Sequence, residues 1–300
     1  MGRMKVQCPA KVNLFLEITG KKPNGYHTLS TLFAKINLYD VLDMTADPGK
    51  TGIALEIESA PGMPHLSAGP DNLVVRAAAA FCKEFGVGQH VKIVLTKRIP
   101  MGAGLGGGST DAAGTLLGLA KLFDIKLDAK KKAKLHEIAA KLGADVPFFL
   151  KPDVFCIGTG IGDKLKPVKI HKSLPYMVLA HPGIHIATAE SYKNLPKPTR
   201  SDVLTRLSQL NKLVRSLKMG RPVAEWEGLL FNRLEQSDIP ALAQVEQARR
   251  ILAQAGARGV RMSGSGSSVF GFVASHEEGE KLVKRLAAYP WSVFLTCCNG

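Results

Sequence analysis

No stretch of this sequence is apolar for the roughly 18 residues that a membrane-spanning helix needs. The first residues carry no secretory pattern, because Lys5, Lys11 and Asn13 interrupt any apolar run. Val6 stands where a myristoylation signal needs Ser or Thr. The expectation is a soluble cytoplasmic protein that does not engage a membrane. Cysteine is scarce and scattered: Cys8, Cys82, Cys156, Cys297 and Cys298, with no C-x-x-C pair. The odd number and wide spacing argue against a disulfide framework and a zinc site. The adjacent Cys297 and Cys298 read as the frayed end of a strand. Aromatic residues are only 6% and are not interleaved with the basic clusters, so stacking platforms for single-stranded nucleic acid are missing. Acidic residues are also few, 25 against 40 Lys and Arg, for a net charge of +15. Such a charge attracts polyanions, either nucleic acid or a nucleotide or phosphorylated substrate. Much of it lies in the helix-like stretches 126–134 and 281–285, which read as solvated faces.

What is present is an ordinary apolar content of 45%, enough for a core, in a chain of 300 residues. Residues 5–18 alternate Val12, Leu14, Leu16 and Ile18 with Lys11, Asn13, Phe15 and Glu17, the period of a half-buried strand. Lys11 and Asn13 then share one face, which composition alone assigns to solvent. Pro9 predicts a bulge or short edge segment there. A turn follows at 21–25, then strands at 31–41 and 53–57. Residues 72–85 read as a helix capped by Asp71 and stopped by Gly86. A strand at 91–96 precedes the glycine-rich segment, with a helix after it at 111–123. Residues 129–142 form a basic amphipathic helix with Leu135, Ile138 and Leu142 inward and Gly143 at its end. Strands are expected at 154–157 and 177–180, a loop at 193–200, and a helix starting at 238–240 and ending at Gly256. Its apolar residues Leu242, Val245, Ala248 and Leu252 fall near a 3.6 period. A last core strand at 269–273 and a helix at 277–288 complete a mixed α+β chain. Gly158, Gly160 and Gly162 place a boundary in 155–165, hence domains of 1–160 and 161–300.

The densest glycine stretch is Pro100-Met101-Gly102-Ala103-Gly104-Leu105-Gly106-Gly107-Gly108-Ser109-Thr110-Asp111. Glycine lets a backbone approach a ligand closely. The helix start that follows offers unpaired N–H groups and the positive end of its dipole, a good phosphate site. Ser109, Thr110 and Asp111 fit its cap positions. No Gly-Lys-Ser/Thr follows, so this is not a Walker A loop. Gly102-x-Gly104-x-x-Gly107 matches a dinucleotide fingerprint only weakly, since residues 97–101 separate it from its strand.

This stretch resembles the ATP loop of the GHMP kinases, the superfamily of galactokinase, homoserine kinase and mevalonate kinase. Further segments match in order: Pro9-Ala10-Lys11-Val12-Asn13-Leu14, Pro23-Asn24-Gly25-Tyr26-His27, Gly143-Ala144-Asp145-Val146-Pro147-Phe148-Phe149, Gly158-Thr159-Gly160-Ile161-Gly162 and Met262-Ser263-Gly264-Ser265-Gly266-Ser267-Ser268. The Tyr26-His27 motif resembles the branch whose acceptor is a cytidine diphosphate-linked methylerythritol; Asn24 stands where that branch usually has Asp. Locally, Tyr26-His27 is a turn with a packed aromatic and Asp145 a helix N-cap.

The resemblance implies a two-domain GHMP kinase fold, with a ribosomal protein S5 domain 2-like N-terminal domain and a ferredoxin-like C-terminal domain. It implies ATP held by Pro100 through Thr110, accompanied by Mg²⁺ for which Ser109 is a possible ligand. It implies Asp145 as catalytic base beside Lys11, with Asn13, Tyr26, His27 and Tyr192 on the substrate. There the two tyrosines would sandwich cytosine and the His27 region would bond its edge. The reaction implied is transfer of the γ-phosphoryl to the 2-hydroxyl of that acceptor, in non-mevalonate isoprenoid precursor synthesis. Two other readings stay open. One is a GHMP kinase for a homoserine- or mevalonate-like acceptor. The other is a basic nucleic-acid-binding protein, which the scarcity of aromatics disfavours. Oligomeric state is not readable from the sequence.

Overall fold

A computed structural model describes residues 2–23, 25–60, 63–88 and 90–298. The chain forms two compact units, one of Met1–Ala10, Leu38–Met101 and Gly106–Pro152, the other of Lys11–Asn37, Gly102–Leu105 and Asp153–Gly300. Two long strands, β1 (Arg3–Lys21) and β2 (His27–Asp47), contribute to both. Both exceed the lengths expected, and β1 passes through Pro9 as strand. The expected turn between them includes Asn24, which lies outside the described residues.

In the first unit β3 (Ile53–Ser59) lies parallel to β4 (His90–Lys97), and β4 pairs antiparallel with β2, Val41 opposite Thr96 and Asp47 opposite His90. Helices α1 (Leu73–Phe85), α2 (Gly107–Leu122), α3 (Ala129–Leu142) and α4 (Val146–Leu150) pack on one another. The cap of α1 is Asn72, whose side chain accepts from the Val74 N–H at 2.9 Å. Asp71, the expected cap, instead accepts from the Ser67 hydroxyl. Helix α2 begins four residues before its expected start, with Gly106 as N-cap in the left-handed region at φ 71°. Ser109, Thr110 and Asp111 therefore lie inside the helix and do not cap it. The middle of α2 is buried on nearly all sides, as a helix apolar all round should be. At Gly118 a Cβ would stand 2.0 Å from Met44 Cε and 2.9 Å from Val6 Cγ2, so the helix reaches the strands only because no side chain is there. On α3 the inward residues are Leu135 and Ala139, with Ile138 and Leu142 half-buried.

A buried charge cluster ties β4 to β2 and α2. Lys97, Asp40 and Asp111 are all at most 3% exposed. The Lys97 ammonium donates to the Asp40 carboxylate and, at 2.8 Å, to Asp111 Oδ2. Asp40 Oδ1 also accepts from the N–H groups of Arg98 and Ile99, at 2.6 and 2.8 Å. Asp111 Oδ1 is buried with no hydrogen-bond partner. Two carboxylates thus share one ammonium, and Asp40 is the better supplied with donors. Burial works against the Lys97 charge, but the two carboxylates outweigh it and raise its pKa. Burial pushes Asp111 up to about 7, with Lys97 holding it back and Asp40 adding to the rise. Asp111 is therefore the member that takes a proton.

The second unit holds β5 (Phe155–Thr159), antiparallel to both β2 and β6 (Lys164–Pro167), and a four-stranded sheet of β7 (Tyr176–His181), β9 (Arg258–Met262), β10 (Val269–Val273) and β11 (Ser292–Thr296). Between β7 and β9 come helices α5 (Thr188–Lys193), α6 (Arg200–Lys218) and α7 (Val223–Trp226), the short strand β8 (Phe231–Asn232), and α8 (Leu242–Gln254). Helix α9 (His276–Leu286) joins β10 to β11. The sheet order is β11-β7-β10-β9, antiparallel throughout. Its members run fourth, first, third, second, with α8 and α9 packed on it: the ferredoxin-like arrangement expected. Val178, Ala180, Val245, Ala248, Val269 and Leu282 belong to its core.

Three expectations need correction here. The last strand is β11, not the strand at 269–273. Cys298 beyond it is buried, and the Cys297 carbonyl accepts from the Asn37 N–H at 2.9 Å, so this end is docked and not frayed. Nor is β1 half-buried: every residue from Ala10 to Ile18 is buried. Glu17, on the face assigned to solvent, meets Arg233 in a two-pronged ion pair at 2.8 and 2.6 Å. Helix α6, with a complete Thr199–Asp202 capping box, was not anticipated. None of the five cysteines is in a disulfide, and among the described residues no helix is long and apolar enough to cross a membrane.

The charge cluster has a pH signature. Asp111 binds its proton more tightly folded than unfolded, so its contribution to stability is full at low pH and shrinks as pH rises from about 4 towards 7. Asp111→Asn keeps the neutral form. The unfolding midpoint of the variant relative to the unsubstituted protein should shift in the variant's favour across that window; a difference that stays flat between pH 4 and 7 would contradict the assignment.

Candidate active site

In the second unit the strand segment bearing Lys11 and Asn13 is where the predicted residues gather most closely. The Lys11 N–H donates to the Leu105 carbonyl at 3.0 Å, which fixes the glycine loop along β1. Lys11 Nζ donates to Asn13 Oδ1 at 2.7 Å, and Asn13 Nδ2 donates to Thr31 Oγ1 at 2.8 Å. Thr31 Oγ1 in turn donates to the Phe15 carbonyl at 2.6 Å. Lys11 and Asn13 are 4% and 2% exposed, so this is an oriented polar pair inside the protein, not a solvent face. The Phe33 ring lies 5.6 Å from the ammonium.

The serine-rich turn after β9 meets the same loop. Ser263 Oγ donates to the Gly104 carbonyl at 3.0 Å, and the Ser268 N–H to the Ala103 carbonyl at 3.2 Å. Gly104 has φ 74°, and a Cβ there would stand 2.0 Å from the Ser263 carbonyl oxygen. Only glycine satisfies both demands. His185 lies over Gly102, where a Cβ would come within 2.2 Å of its ring nitrogen.

The base-recognition candidates form a separate cluster in this unit. His27 stacks on Tyr192, ring centroids 5.1 Å apart and 29° between planes. Tyr26, expected to face Tyr192 across a base, is 62% exposed. Burial and the nearby Lys21 lower the His27 pKa, which favours the neutral ring. A neutral imidazole presents one donor and one acceptor, a pair suited to a cytosine edge. Thr188, one turn before Tyr192 on α5, bonds the Ser265 hydroxyl at 2.9 Å. That joins the aromatic cluster to the serine-rich turn.

In the first unit, Pro100 and Met101 close the segment after β4, and Gly106 to Thr110 form the start of α2. Thr110 Oγ1 is buried without a hydrogen-bond partner. Asp145 is the N-cap residue of α4, half-buried, and its carboxylate makes no capping bond. The turn before it lies beside the helix start: a Cβ on Gly143 would be 3.9 Å from Ser109 Oγ. The segment that carries Asp145 thus passes beside the first turn of α2.

Among the described residues no three His, Cys, Asp or Glu side chains form a metal cage. A Mg²⁺ ion needs none, because it keeps several waters and is held chiefly by substrate phosphates with one or two protein oxygens. The Ser109 hydroxyl beside Gly143 and the unpartnered Thr110 oxygen fit that modest demand.

Sequence reasoning missed Asp40, Lys97 and His185. The first two carried no local signal beyond charge.

The models of two families match: "GHMP kinases N terminal domain" over residues 72–152 and "GHMP kinases C terminal" over 223–290. The 4-diphosphocytidyl-2-C-methyl-D-erythritol kinase of Prosthecochloris aestuarii is 37% identical, across 96% of this chain and 95% of that one. The enzyme of the same name from Chloroherpeton thalassium is 38% identical, across 96% of each. A crystal structure of a 4-(cytidine 5'-diphospho)-2C-methyl-D-erythritol kinase superposes with a TM-score of 0.78 at 32% identity, covering 99% of this chain and all of that one. With the fold of both units, these likenesses place the chain in the GHMP kinases, in the family of the 4-diphosphocytidyl-2-C-methyl-D-erythritol kinases.

Proposed function

We propose that the chain transfers the γ-phosphoryl group of ATP to the 2-hydroxyl of 4-diphosphocytidyl-2-C-methyl-D-erythritol, a step of non-mevalonate isoprenoid precursor synthesis. The observation that carries this reading is the likeness to kinases of that name over nearly the whole length of both chains. The aromatic pair His27–Tyr192 supports a base-bearing acceptor over a homoserine- or mevalonate-like one. We place the reaction in the cytoplasm.

Phosphoryl transfer is mostly positioning and charge stabilisation. The loop from Pro100 to Thr110 wraps the triphosphate. Its support comes from the unpaired N–H groups at the start of α2 and from the bonds that hold Ala103, Gly104 and Leu105 in place. Mg²⁺ bound with the nucleotide would offset its charge, Ser109 being the protein oxygen offered to it. Asp145 accepts the proton of the acceptor hydroxyl, and Lys11, held by Asn13, orients that hydroxyl and stabilises the developing charge. Tyr26, His27 and Tyr192 receive the cytosine. The division at residue 160 is supported by the two family matches, which fall on either side of it.

The test is direct: incubation with ATP and the cytidylylated methylerythritol should yield ADP and the monophosphorylated product, and homoserine and mevalonate should be inert. Transfer to either of those, with none to the cytidine compound, would overturn the acceptor. Asp145→Asn should lower kcat by roughly 10²–10⁴-fold with acceptor KM nearly intact; unchanged turnover would remove Asp145 from the chemistry. Tyr26→Ala should weaken acceptor binding by about 1–3 kcal/mol and leave ATP binding alone. A variant that loses ATP instead would reverse the assignment of the two sites.

A further inference from the structure

Strand β8 is only two residues long, yet it joins two parts of the second unit. It lies parallel to β1, Phe231 opposite Phe15 and Asn232 opposite Leu16. Asn232 is 1% exposed and uses its amide fully. Nδ2 donates to the Met262 carbonyl at 2.9 Å and to the Gly264 carbonyl at 2.8 Å, and Oδ1 accepts from the Leu234 N–H at 3.0 Å. The two carbonyls flank Ser263, the residue whose hydroxyl holds Gly104. Gly264 is equally confined. A Cβ there would meet the Gly104 carbonyl at 3.0 Å, Lys11 Nζ at 3.3 Å and Asn13 Oδ1 at 3.4 Å. The residue that follows β8, Arg233, is locked to Glu17 on the strand that carries Lys11. The short segment 231–233 therefore anchors both the turn at 262–264 and the strand beside it.

We infer that Asn232 is a positioning residue for phosphoryl transfer: its amide sets the height of the 262–264 turn, and through it the placement of Gly104 and Lys11. This rests on the kinase reading above. The chemistry of the position is demanding. Both carbonyls need N–H donors from one short side chain, and the Leu234 N–H needs an acceptor from the same group. An aspartate has the same shape but puts an oxygen where a donor is required, so it repels the carbonyl it should hold. Displacements of about 1 Å at a reacting centre cost on the order of 100-fold in rate.

The experiment compares kcat and KM of the unsubstituted protein, Asn232→Asp and Asn232→Ala, each expressed per folded molecule as judged by circular dichroism and thermal unfolding. The expected result is a fall in kcat of about 10- to 100-fold in both variants, with acceptor KM within about twofold. Unchanged kcat per folded molecule, or a raised KM with kcat intact, would overturn the inference. Should the aspartate variant not fold, the alanine variant, which introduces no charge, decides the matter by the same criteria. If the unsubstituted protein fails to phosphorylate the cytidine acceptor, the kinase reading is at fault and not the role of Asn232.

Discussion

A backbone-to-backbone approach governs the candidate site in the second unit. The carbonyl of Ser263 occupies the space where a side chain at position 104 would begin, 2.0 Å from a Cβ placed there. Because nothing larger than hydrogen fits, the glycine loop presses directly against the serine-rich turn. Ser263 Oγ and the Ser268 N–H can then bond the carbonyls of Gly104 and Ala103. The same closeness brings Leu105 to the Lys11 N–H. A loop rich in glycine would otherwise lose the most conformational freedom on ordering. Here three hydrogen-bonding neighbours supply the order in advance, so the loop gains close backbone approach without the mobility that usually accompanies it. Preorganisation of this kind is what an electrostatic cradle for a triphosphate requires.

How far the sequence foretold this depends on the range of the interaction. Signals that act over a few residues were legible. Gly86 ended α1, α3 ran from Ala129 to Leu142 as its period and its glycine stop indicated, and the order of strands and helices gave the class. The ferredoxin-like sheet was an implication of the resemblance, and the strand order agrees with it. Boundaries that turned on one side chain's choice of partner were not legible. Asp71 and Asn72 are equally good caps on paper, and Ser67 decided between them by engaging Asp71. The start of α2 was misplaced because glycine propensity argues against helix, whereas Gly107 and Gly108 are helical with Gly106 as their left-handed cap. Helix α6 escaped notice although Leu210, Leu213 and Leu217, its buried residues, fall at helical spacing behind a Thr199 cap.

Burial of charge was the least legible property of all. The alternation in β1 was real, but the second face is covered as well, so Lys11, Asn13 and Glu17 are interior residues. Their partners explain why that is tolerable: Asn13 for the ammonium, Thr31 for the amide, Arg233 for the carboxylate. Glu17 and Arg233 are separated by 216 positions, and Asp40 and Lys97 by 57, so no local pattern could pair them. Breaking such a pair strands a buried charge, which costs far more than the intact pair contributes. The sequence can tolerate few changes at these positions, although each looks like an unremarkable surface charge when read alone.

The excess of positive charge suits the polyanionic substrates of a kinase of this family. Many of the basic groups on α3 and α9 are exposed, and several have acidic neighbours: Lys134 beside Glu84 and Glu137, Lys281 beside Glu277. Pairs of this kind leave little organised binding energy at any one point, yet the unpaired remainder of the +15 still sets the field around the molecule. ATP and a cytidine diphosphate-linked acceptor are both polyanions, and a field of this sign draws both towards the protein without needing a basic groove or stacking aromatics. Electrostatic capture from a distance and hydrogen-bonded recognition at short range are separable tasks. The first depends on exposed lysines that salt can screen. Buried groups such as Lys11 and Asn13, bonded to each other, make contacts that salt scarcely reaches. A strongly basic composition is therefore compatible with one small-molecule function.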